Sequence, residues 1–440
     1  MAQEFLRVAM FTNLFYPVVS GSATHTRGLA RSLSEQGHHV IVITPHVDPS
    51  TPKYEVMDGF EVHRIPAIRL PEMPISLNFP WLSWTLWPKN LRRIENLLKQ
   101  HNIQLLHIHN HMFDMALNGV LLKRRLKIPA VLTIHTVIQH SVRAFNLLLY
   151  PADRFFLRHA VVRRVDAVVC PDANIQNYLR QAFGRVDGKL VPYGISLPPH
   201  PGPEIETDII ERFGLQGRRL ILSLGNVNVF RNRLDLIRAM PEVRSRFPNV
   251  LLLIVGGIGD QRPVELVKQL GLEDNVLFTG AQPHEHMSVY HNLAEIEAMW
   301  LDQDEAGQNS IGIAGMEAML SGKPILTVSN VDAFGPGVLT SGRNVVILKA
   351  GDHEGLAVIL NDLLAHPEKS QQIGQSAQAL ARNLFTWPQI AAKTTALYRS
   401  LIGSFAGSPF SEKAASGSAV VSAPINQGLL PSPPTVEKAK

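Results

Sequence analysis

Two series of short, apolar, β-rich runs alternate with amphipathic helical stretches along this chain, and a proline-rich break separates them. That alternation is the pattern of parallel sheets covered by helices on both faces, and it excludes all-α and all-β architectures. In the first series Arg7–Thr12 reads as the opening strand and Val40–Thr44 as the next. Between them Thr24–Glu35 reads as a helix, because Leu29, Ala30 and Leu33 recur at helical spacing and Gly37 stands just past its end. Leu105–Ile108, Ala130–Ile134, Ala167–Val169 and Lys189–Val191 are further strand candidates. Ser196–Asp208 then carries four prolines and one glycine, a composition unsuited to helix or central strand, and reads as a linker. The second series places strands at Leu220–Leu224, Val250–Val255, Val276–Thr279, Ile296–Trp300, Pro324–Val328 and Asn344–Leu348. An amphipathic segment near Pro388–Ile402 follows. Beyond Gly403 the chain is rich in Ser, Ala, Pro and Gly, too poor in apolar surface to be expected to order itself.

Composition narrows the class. Hydrophobic residues make up 45% and charged residues 18%, which fits a soluble globular protein. The single cysteine, Cys170, excludes an intrachain disulfide and favours a reducing compartment. A net charge of +5 suits phosphate-bearing ligands or an anionic membrane surface, and no nucleic-acid-binding module is legible. The opening residues, MAQEFLR, lack the basic segment and apolar core of a signal peptide, and no apolar run approaches the roughly 18 residues of a membrane span. A cytoplasmic protein is the expectation.

In open α/β sheets, ligands bind beyond the carboxyl ends of the strands, where helix N-termini attract anions. Asn309–Pro324, NSIGIAGMEAMLSGKP, is the most informative stretch of this kind. Gly312 permits close backbone approach, and the amides near Ile311 and Gly312 would face a diphosphate. Glu317 lies eight residues beyond Asn309, about 12 Å along a helix, which suits a ligand with a sugar at one end and a ribose at the other. By spacing alone, a solvated helix residue is the simpler reading of Glu317.

NSIGIAGMEAMLSGKPIL resembles the signature of the family-4 retaining glycosyltransferases (glycosyl transferases group 1), of which EGFGLVLLEAMACGKPVV is a typical form. The resemblance implies that Glu317 binds the nucleotide ribose and that Asn309 stands where the family holds the transferred sugar with a glutamate. Asparagine keeps hydrogen bonding there but supplies no charge. Glu305, in the preceding loop DQDEAGQ, is a candidate to replace that acid. Asp302 and Asp304 spell a DxD, a metal motif of a different fold, so no metal is expected.

ILSLGNVNVFRNRLDLIRAM is similar to the family's GRLVPEKG segment, whose arginine and lysine neutralise the donor diphosphate. These map onto Asn226 and Arg231, with Arg233 a candidate to compensate for the lost cation. The alternative is that both arginines are merely solvated. FTNLFYPVVSGSATHTRGLARSL resembles the opening strand, glycine loop and first helix, with Gly21 where the loop approaches donor phosphates or acceptor. His109 in LLHIHN and His135 in VLTIHT both end strand-like runs. His135 matches the family histidine that contacts the transferred sugar, and His109 a less defined position. VPYGI at 191–195 and FTW at 385–387 extend the likeness to about residues 5–403.

What the resemblance implies is an α/β GT-B fold, two Rossmann-like doubly wound domains facing across a cleft. The expected acceptor domain is 1–195, completed by a helix at about 386–403. The expected linker is 196–208, the donor domain 209–385 and the tail 404–440. The expected activity is hexosyl transfer, with retention, from a nucleotide-sugar donor to a hydroxyl of a glycan, lipid or small-molecule acceptor. The expected catalytic residues are His135 and Arg231, with the nucleotide-diphosphate sugar as co-substrate, no other cofactor and no metal. Asn226 and Asn309 sustain an alternative, a catalytically impaired GT-B scaffold serving as a nucleotide-sugar-binding or regulatory partner subunit.

Two aromatic and cationic stretches bear on the acceptor. Phe79, Trp81, Trp84 and Trp87 precede Lys89, Arg92 and Arg93, and the stretch Arg143–Arg164 includes Phe145, Leu147–Tyr150, Phe155 and Phe156. Packing under a loop, peripheral membrane contact and carbohydrate stacking all suit this composition.

Overall fold

The computed structural model describes residues 5–18, 20–70, 82–138, 140, 143–229, 231–299 and 311–405. Phe79, Trp81, Asp302, Asp304, Glu305, Asn309 and the tail beyond 405 lie outside these.

Two sheets organise the chain. The first comprises β1 (Arg7–Phe11), β2 (His39–His46), β3 (Tyr54–Met57), β4 (Phe60–Pro66), β7 (Leu105–His109), β8 (Ala130–Thr133), β9 (Ala167–Cys170) and β10 (Lys189–Leu190). Its spatial order is β10-β9-β8-β7-β1-β2-β4-β3, parallel except for edge strand β3. A short antiparallel pair, β5 (Ile68–Leu70) and β6 (Leu82–Trp84), stands apart. The second sheet is parallel throughout: β11 (Arg219–Leu224), β12 (Val250–Val255), β13 (Val276–Gly280), β14 (Ile296–Ala298), β15 (Ile325–Thr327) and β16 (Val346–Ile347), in the order β13-β12-β11-β14-β15-β16.

The helices of the first half are α1 (Gly21–Glu35), α2 (Pro88–Gln100), α3 (Asp114–Leu126), α4 (Arg143–Pro151), α5 (Arg158–Ala160) and α6 (Ala173–Phe183). A six-residue π-helical segment, Ala152–Leu157, joins α4 to α5. The second half carries α7 (Pro203–Phe213), α8 (Leu234–Arg246), α9 (Arg262–Gln269), α10 (Met287–Leu293), α11 (Gly312–Leu320), α12 (His353–Ala365) and α13 (Pro367–Leu384), and α14 (Trp387–Ser404) ends the described chain. No described helix is long and apolar enough to cross a membrane.

The central strands are continuous apolar runs because helices cover both sheet faces. All six residues of β12, VLLLIV, are buried, each worth roughly 1.5–3 kcal/mol of transfer free energy. The last helix returns to the first sheet: Ile390, Ala391 and Tyr398 of α14 join the core formed by Val8, Met10 and Leu29. The Tyr398 hydroxyl lies 2.5 Å from His107 Nδ1. Trp387, at the start of α14, sits where a Cβ on Gly28 or Gly194 would come within 2.2 Å of the indole. Only glycine allows that approach.

Three differences from the sequence reading have physical causes. The stretch 196–208 is non-helical only to Gly202, because Pro203 takes the first position of α7, where a missing amide hydrogen costs nothing. Strands β3 to β6 are not legible: β3, β5 and β6 have four residues or fewer, and β3 (YEVM) and β4 (FEVHRIP) carry charged residues among their apolar ones. The strand expected at 296–300 is observed at Ile296–Ala298, and Trp300 lies outside the described residues.

Candidate donor and acceptor cleft

In each sheet the chain order reverses beside the central strand, and a crevice opens at the carboxyl ends of the two strands involved. In the first sheet these are β1 and β7, and in the second β11 and β14. The sequence-derived candidates gather at these two points. Gly21 opens α1 after β1, His109 ends β7, and His135 follows the neighbouring β8. Asn226 and Arg231 occupy the loop after β11, while Ile311, Gly312 and Glu317 belong to the segment that follows β14.

At the first sheet, Ser20 caps α1 by accepting from Ala23 N at 3.2 Å. A Cβ on Gly21 meets nothing within 4 Å, so open space stands over this helix N-terminus. The histidines form a cluster. His109 Nδ1 lies 3.0 Å from His135 Nε2 with the rings stacked, and His135 Nδ1 lies 3.2 Å from the Tyr193 hydroxyl. His25 of α1 sits edge-on to His135 at 5.1 Å. His107 is held on both ring nitrogens, by Tyr398 and by Thr133.

Burial pushes the pKa of His25 and of His107 down to about 3, and holds His109 and His135 well below 6.5, with neighbouring imidazoles adding to the last three. The cluster is therefore neutral at physiological pH. His135 can exchange hydrogen bonds with a ligand but cannot neutralise a phosphate. Both its ring nitrogens are engaged in this structure, so contact with a sugar requires it to yield Tyr193 or His109. His109 Nε2 and His25 Nδ1 are buried without a partner.

At the start of α3, Asp114 binds Asn13 Nδ2 at 3.0 Å through one oxygen and both the amide and the hydroxyl of Thr85 through the other. It ties the loops that follow β1 and β6 to the start of α3. Sequence reasoning missed His25, Tyr193 and this network, because their meaning arises only from contacts between distant elements.

At the second sheet, Arg233 corrects the expectation that it compensates for Asn226. It is fully buried, and its guanidinium donates to Ser223 Oγ and to the carbonyls of Leu224, Gly225, Asn226 and Arg231. These use all five of its N–H donors, leaving none for a phosphate. Burial, aided by the charge of Arg231, lowers its pKa to about 10. Arg233 ties down the loop, holding a left-handed φ of 63° at the start of α8.

Asn226 is likewise engaged, its Oδ1 accepting from Gly257 N at 2.9 Å. Arg231 contrasts with Arg233 in exposure. Its side chain is exposed, yet lost solvation lowers its pKa, the combination expected of a cation lining a concave surface.

Gly312 adopts φ +73°, the left-handed region that favours glycine, at the first residue of α11. Ile311 is fully buried and anchors that turn, with Gly315 leaving room for its side chain. Glu317 is 8% exposed. Burial raises its pKa to about 7, opposed by His291 and reinforced by Glu297. Beside it His291 and Glu297 form a buried pair at 2.5 Å. Burial works against the charge on His291, but the Glu297 carboxylate outweighs it and raises the His291 pKa. This arrangement can stabilise a diphosphate through Arg231 and the α11 amides, and can offer a carboxylate to a diol.

Comparisons with known proteins agree with this geometry. The family description Glycosyltransferase Family 4 matches residues 19–197, and Glycosyl transferases group 1 matches residues 206–380. The alpha-monoglucosyldiacylglycerol synthase of Streptococcus pneumoniae is 26% identical over 83% of this chain and 80% of its own length. The GDP-mannose-dependent alpha-(1-6)-phosphatidylinositol monomannoside mannosyltransferase of Mycolicibacterium smegmatis is 26% identical over 70% of this chain and 80% of its own length. Among solved structures, sucrose-phosphate synthase from Thermosynechococcus elongatus superposes with a TM-score of 0.67 at 20% identity, covering 91% of this chain and all of that one. Anabaena HepE in complex with UDP and glucose gives 0.62 at 17% identity, covering 90% and 100%. With both halves matched in order and each built as a Rossmann-like domain on a largely parallel sheet, the chain belongs to glycosyltransferase family 4 and is a nucleotide-sugar-dependent glycosyltransferase of the GT-B fold.

Proposed function

We propose that this enzyme transfers a hexosyl group from a nucleotide-diphosphate sugar to a hydroxyl of a lipid acceptor at a membrane surface, with retention at the anomeric carbon. The observation that carries the donor half is the placement of Arg231, Gly312 and Glu317 at the switch point of the second sheet. Arg231 and the first amides of α11 would stabilise the departing diphosphate, and Glu317 would accept from the ribose hydroxyls. The acceptor oxygen bonds to the anomeric carbon as the carbon–phosphate-oxygen bond breaks, and the hydroxyl proton passes to the leaving phosphate on the same face. Asp114, the carboxylate nearest to His109 in sequence, has both oxygens committed to Asn13 and Thr85, which supports a course without a covalent intermediate. Neutral His135 would orient the sugar. Domain closure would exclude water and align the acceptor.

The acceptor half rests on the surface around α4. Leu147, Leu148, Phe155 and Phe156 are 60–80% exposed there, and Arg154, Arg163 and Arg164 are exposed beside them in sequence. Large apolar side chains next to cations match the interface of an anionic bilayer. Lys89, Arg92 and Arg93 of α2 also face solvent, where with Lys53 they line an open pocket of about 730 Å³. Two of the relatives named above are a diacylglycerol-glycolipid synthase and a phosphatidylinositol-mannoside mannosyltransferase.

The test is a panel of UDP-, GDP- and ADP-sugars, with and without vesicles containing diacylglycerol or phosphatidylinositol. Turnover with one donor that requires a lipid acceptor, giving an anomer of the donor's configuration by NMR, is the expected result. Donor binding without transfer to any acceptor would favour the regulatory-scaffold alternative. Leu148→Glu together with Phe155→Glu is expected to weaken sedimentation with anionic vesicles at least tenfold, with the melting temperature unchanged.

Gly21→Ala separates fold from function on the acceptor side. The added methyl group enters open space and reduces chain entropy in the unfolded state, so stability should be unchanged or higher by up to about 1 kcal/mol. Transfer should fall tenfold or more if a substrate packs on that helix terminus. A variant with full transfer activity would show that the space over Gly21 is not used.

A further inference from the structure

We propose that the amino-terminal edge of the first sheet holds a divalent transition-metal ion of the zinc class, bound by His39 Nε2, Glu61 Oε1 and His101 Nδ1. His39 is the first residue of β2, Glu61 the second of parallel strand β4, and His101 directly follows α2. Three elements thus converge at the end of the sheet opposite the sugar-transfer cleft.

The geometry is that of a ligand set. His39 Nε2 and His101 Nδ1 are 3.0 Å apart, and Glu61 Oε1 lies 3.8 Å from the first and 3.7 Å from the second. Three atoms with those separations lie on a circle of radius about 2 Å, so one ion can reach all three at zinc–nitrogen and zinc–oxygen lengths of roughly 2.0–2.2 Å. The two imidazole rings are parallel within 10° and share a proton between His39 Nε2 and His101 Nδ1, so an ion displaces that proton and both rings turn toward it.

The supporting shell is also in place. His63 Nε2 lies 3.0 Å from the other oxygen, Oε2, of Glu61, which fixes the carboxylate and points Oε1 toward the two histidines. The His39 side chain is about one-third exposed while those of Glu61 and His101 are mostly covered, leaving an entry path and room for a water ligand. Two neutral imidazoles, one carboxylate and an open position suit zinc, cobalt(II) or nickel(II) rather than calcium or magnesium, which prefer all-oxygen ligands. Far from the donor and acceptor residues, the ion acts structurally, pinning the carboxyl end of α2 to β2 and β4.

The full-length chain, stripped with chelator, is titrated with Zn2+ by calorimetry and with Co2+ by visible absorption. The expected result is one equivalent bound, a d–d spectrum of a nitrogen- and oxygen-ligated ion, and a melting temperature raised by several degrees. His39→Gln with His101→Gln should abolish that equivalent and the thermal shift, while His63→Ala should weaken binding about 10- to 100-fold. Each variant is compared with the metal-free parent, so a folding defect shows as a lower melting temperature without chelator-reversible change. The proposal is overturned if the parent binds no stoichiometric ion. It is equally overturned if the double variant retains the equivalent, which would place the ion elsewhere, for instance on the histidines of the cleft.

Discussion

Glu317→Gln is expected to make the protein more stable above pH 7 while removing most of its donor turnover. Burial raises the pKa of Glu317 from the ordinary glutamate range to about 7 in the folded chain. Between the unfolded value near 4.5 and about 7, the folded state therefore holds a proton that the unfolded state has lost. Stability falls as pH rises through that window, and above it the folded protein carries the full cost of a buried carboxylate, on the order of 3 kcal/mol. Glutamine has the same shape and no charge, so it should match the parent at pH 4.5 and melt several degrees higher at pH 8.

In the proposed donor site, the ribose diol donates to that charged acceptor. Losing charge-assisted hydrogen bonds to it should cost about 2–3 kcal/mol of transition-state and donor binding, roughly a 50-fold drop in kcat/KM. Parent affinity for the donor should increase as pH rises through 7, because the carboxylate form is the one that binds. Thermal melts at the two pH values, together with donor kinetics, check both halves. A glutamine variant with parental turnover would remove Glu317 from the site.

The two arginines of the β11–α8 loop should respond in opposite ways. Arg233→Ala leaves four loop carbonyls and Ser223 Oγ without the donor that satisfied them, and opens a cavity where a fully buried side chain stood. A loss of about 3–5 kcal/mol is expected, enough to unfold a marginal domain at physiological temperature. Arg233→Lys should rescue little of it, since an ammonium offers three donors in place of five and cannot span the loop. Arg231→Ala, at an exposed position, should change stability by less than about 1 kcal/mol. Its cost should appear in catalysis, as a roughly 10²- to 10³-fold fall in kcat through lost stabilisation of the leaving diphosphate. Melting curves beside initial rates separate the two. Equal thermal losses, or an active Arg231→Ala enzyme, would refute the division of labour.

That contrast also shows where sequence reading reaches its limit. Arg231 and Arg233 are two residues apart and chemically identical, and composition gives no reason to separate them. The fold separates them by turning one inward, through the left-handed backbone at Arg233, onto the carbonyls of its own loop. In the first domain LLHIHN contains two histidines with the same local context. His107 points to the α14 side, where Tyr398 receives it. His109, two residues on and therefore on the same face, lies with its ring 4.3 Å from that of His107 but nearer the carboxyl end of the strand, where it meets His135 instead.

The sequence by itself determined the two parallel sheets, the covering helices and the location of the donor segment. These depend on signals local in the chain: continuous apolar strands such as VLLLIV, helical spacing, and a glycine whose backbone conformation few other residues adopt. Only the tertiary structure decided which arginine of the loop is buried and which exposed, that the cleft histidines are neutral, and that His39, Glu61 and His101 meet at one edge. Hydrogen-bond commitment, desolvation and ligand geometry are set by atoms brought together from distant parts of the chain, and no local pattern encodes them.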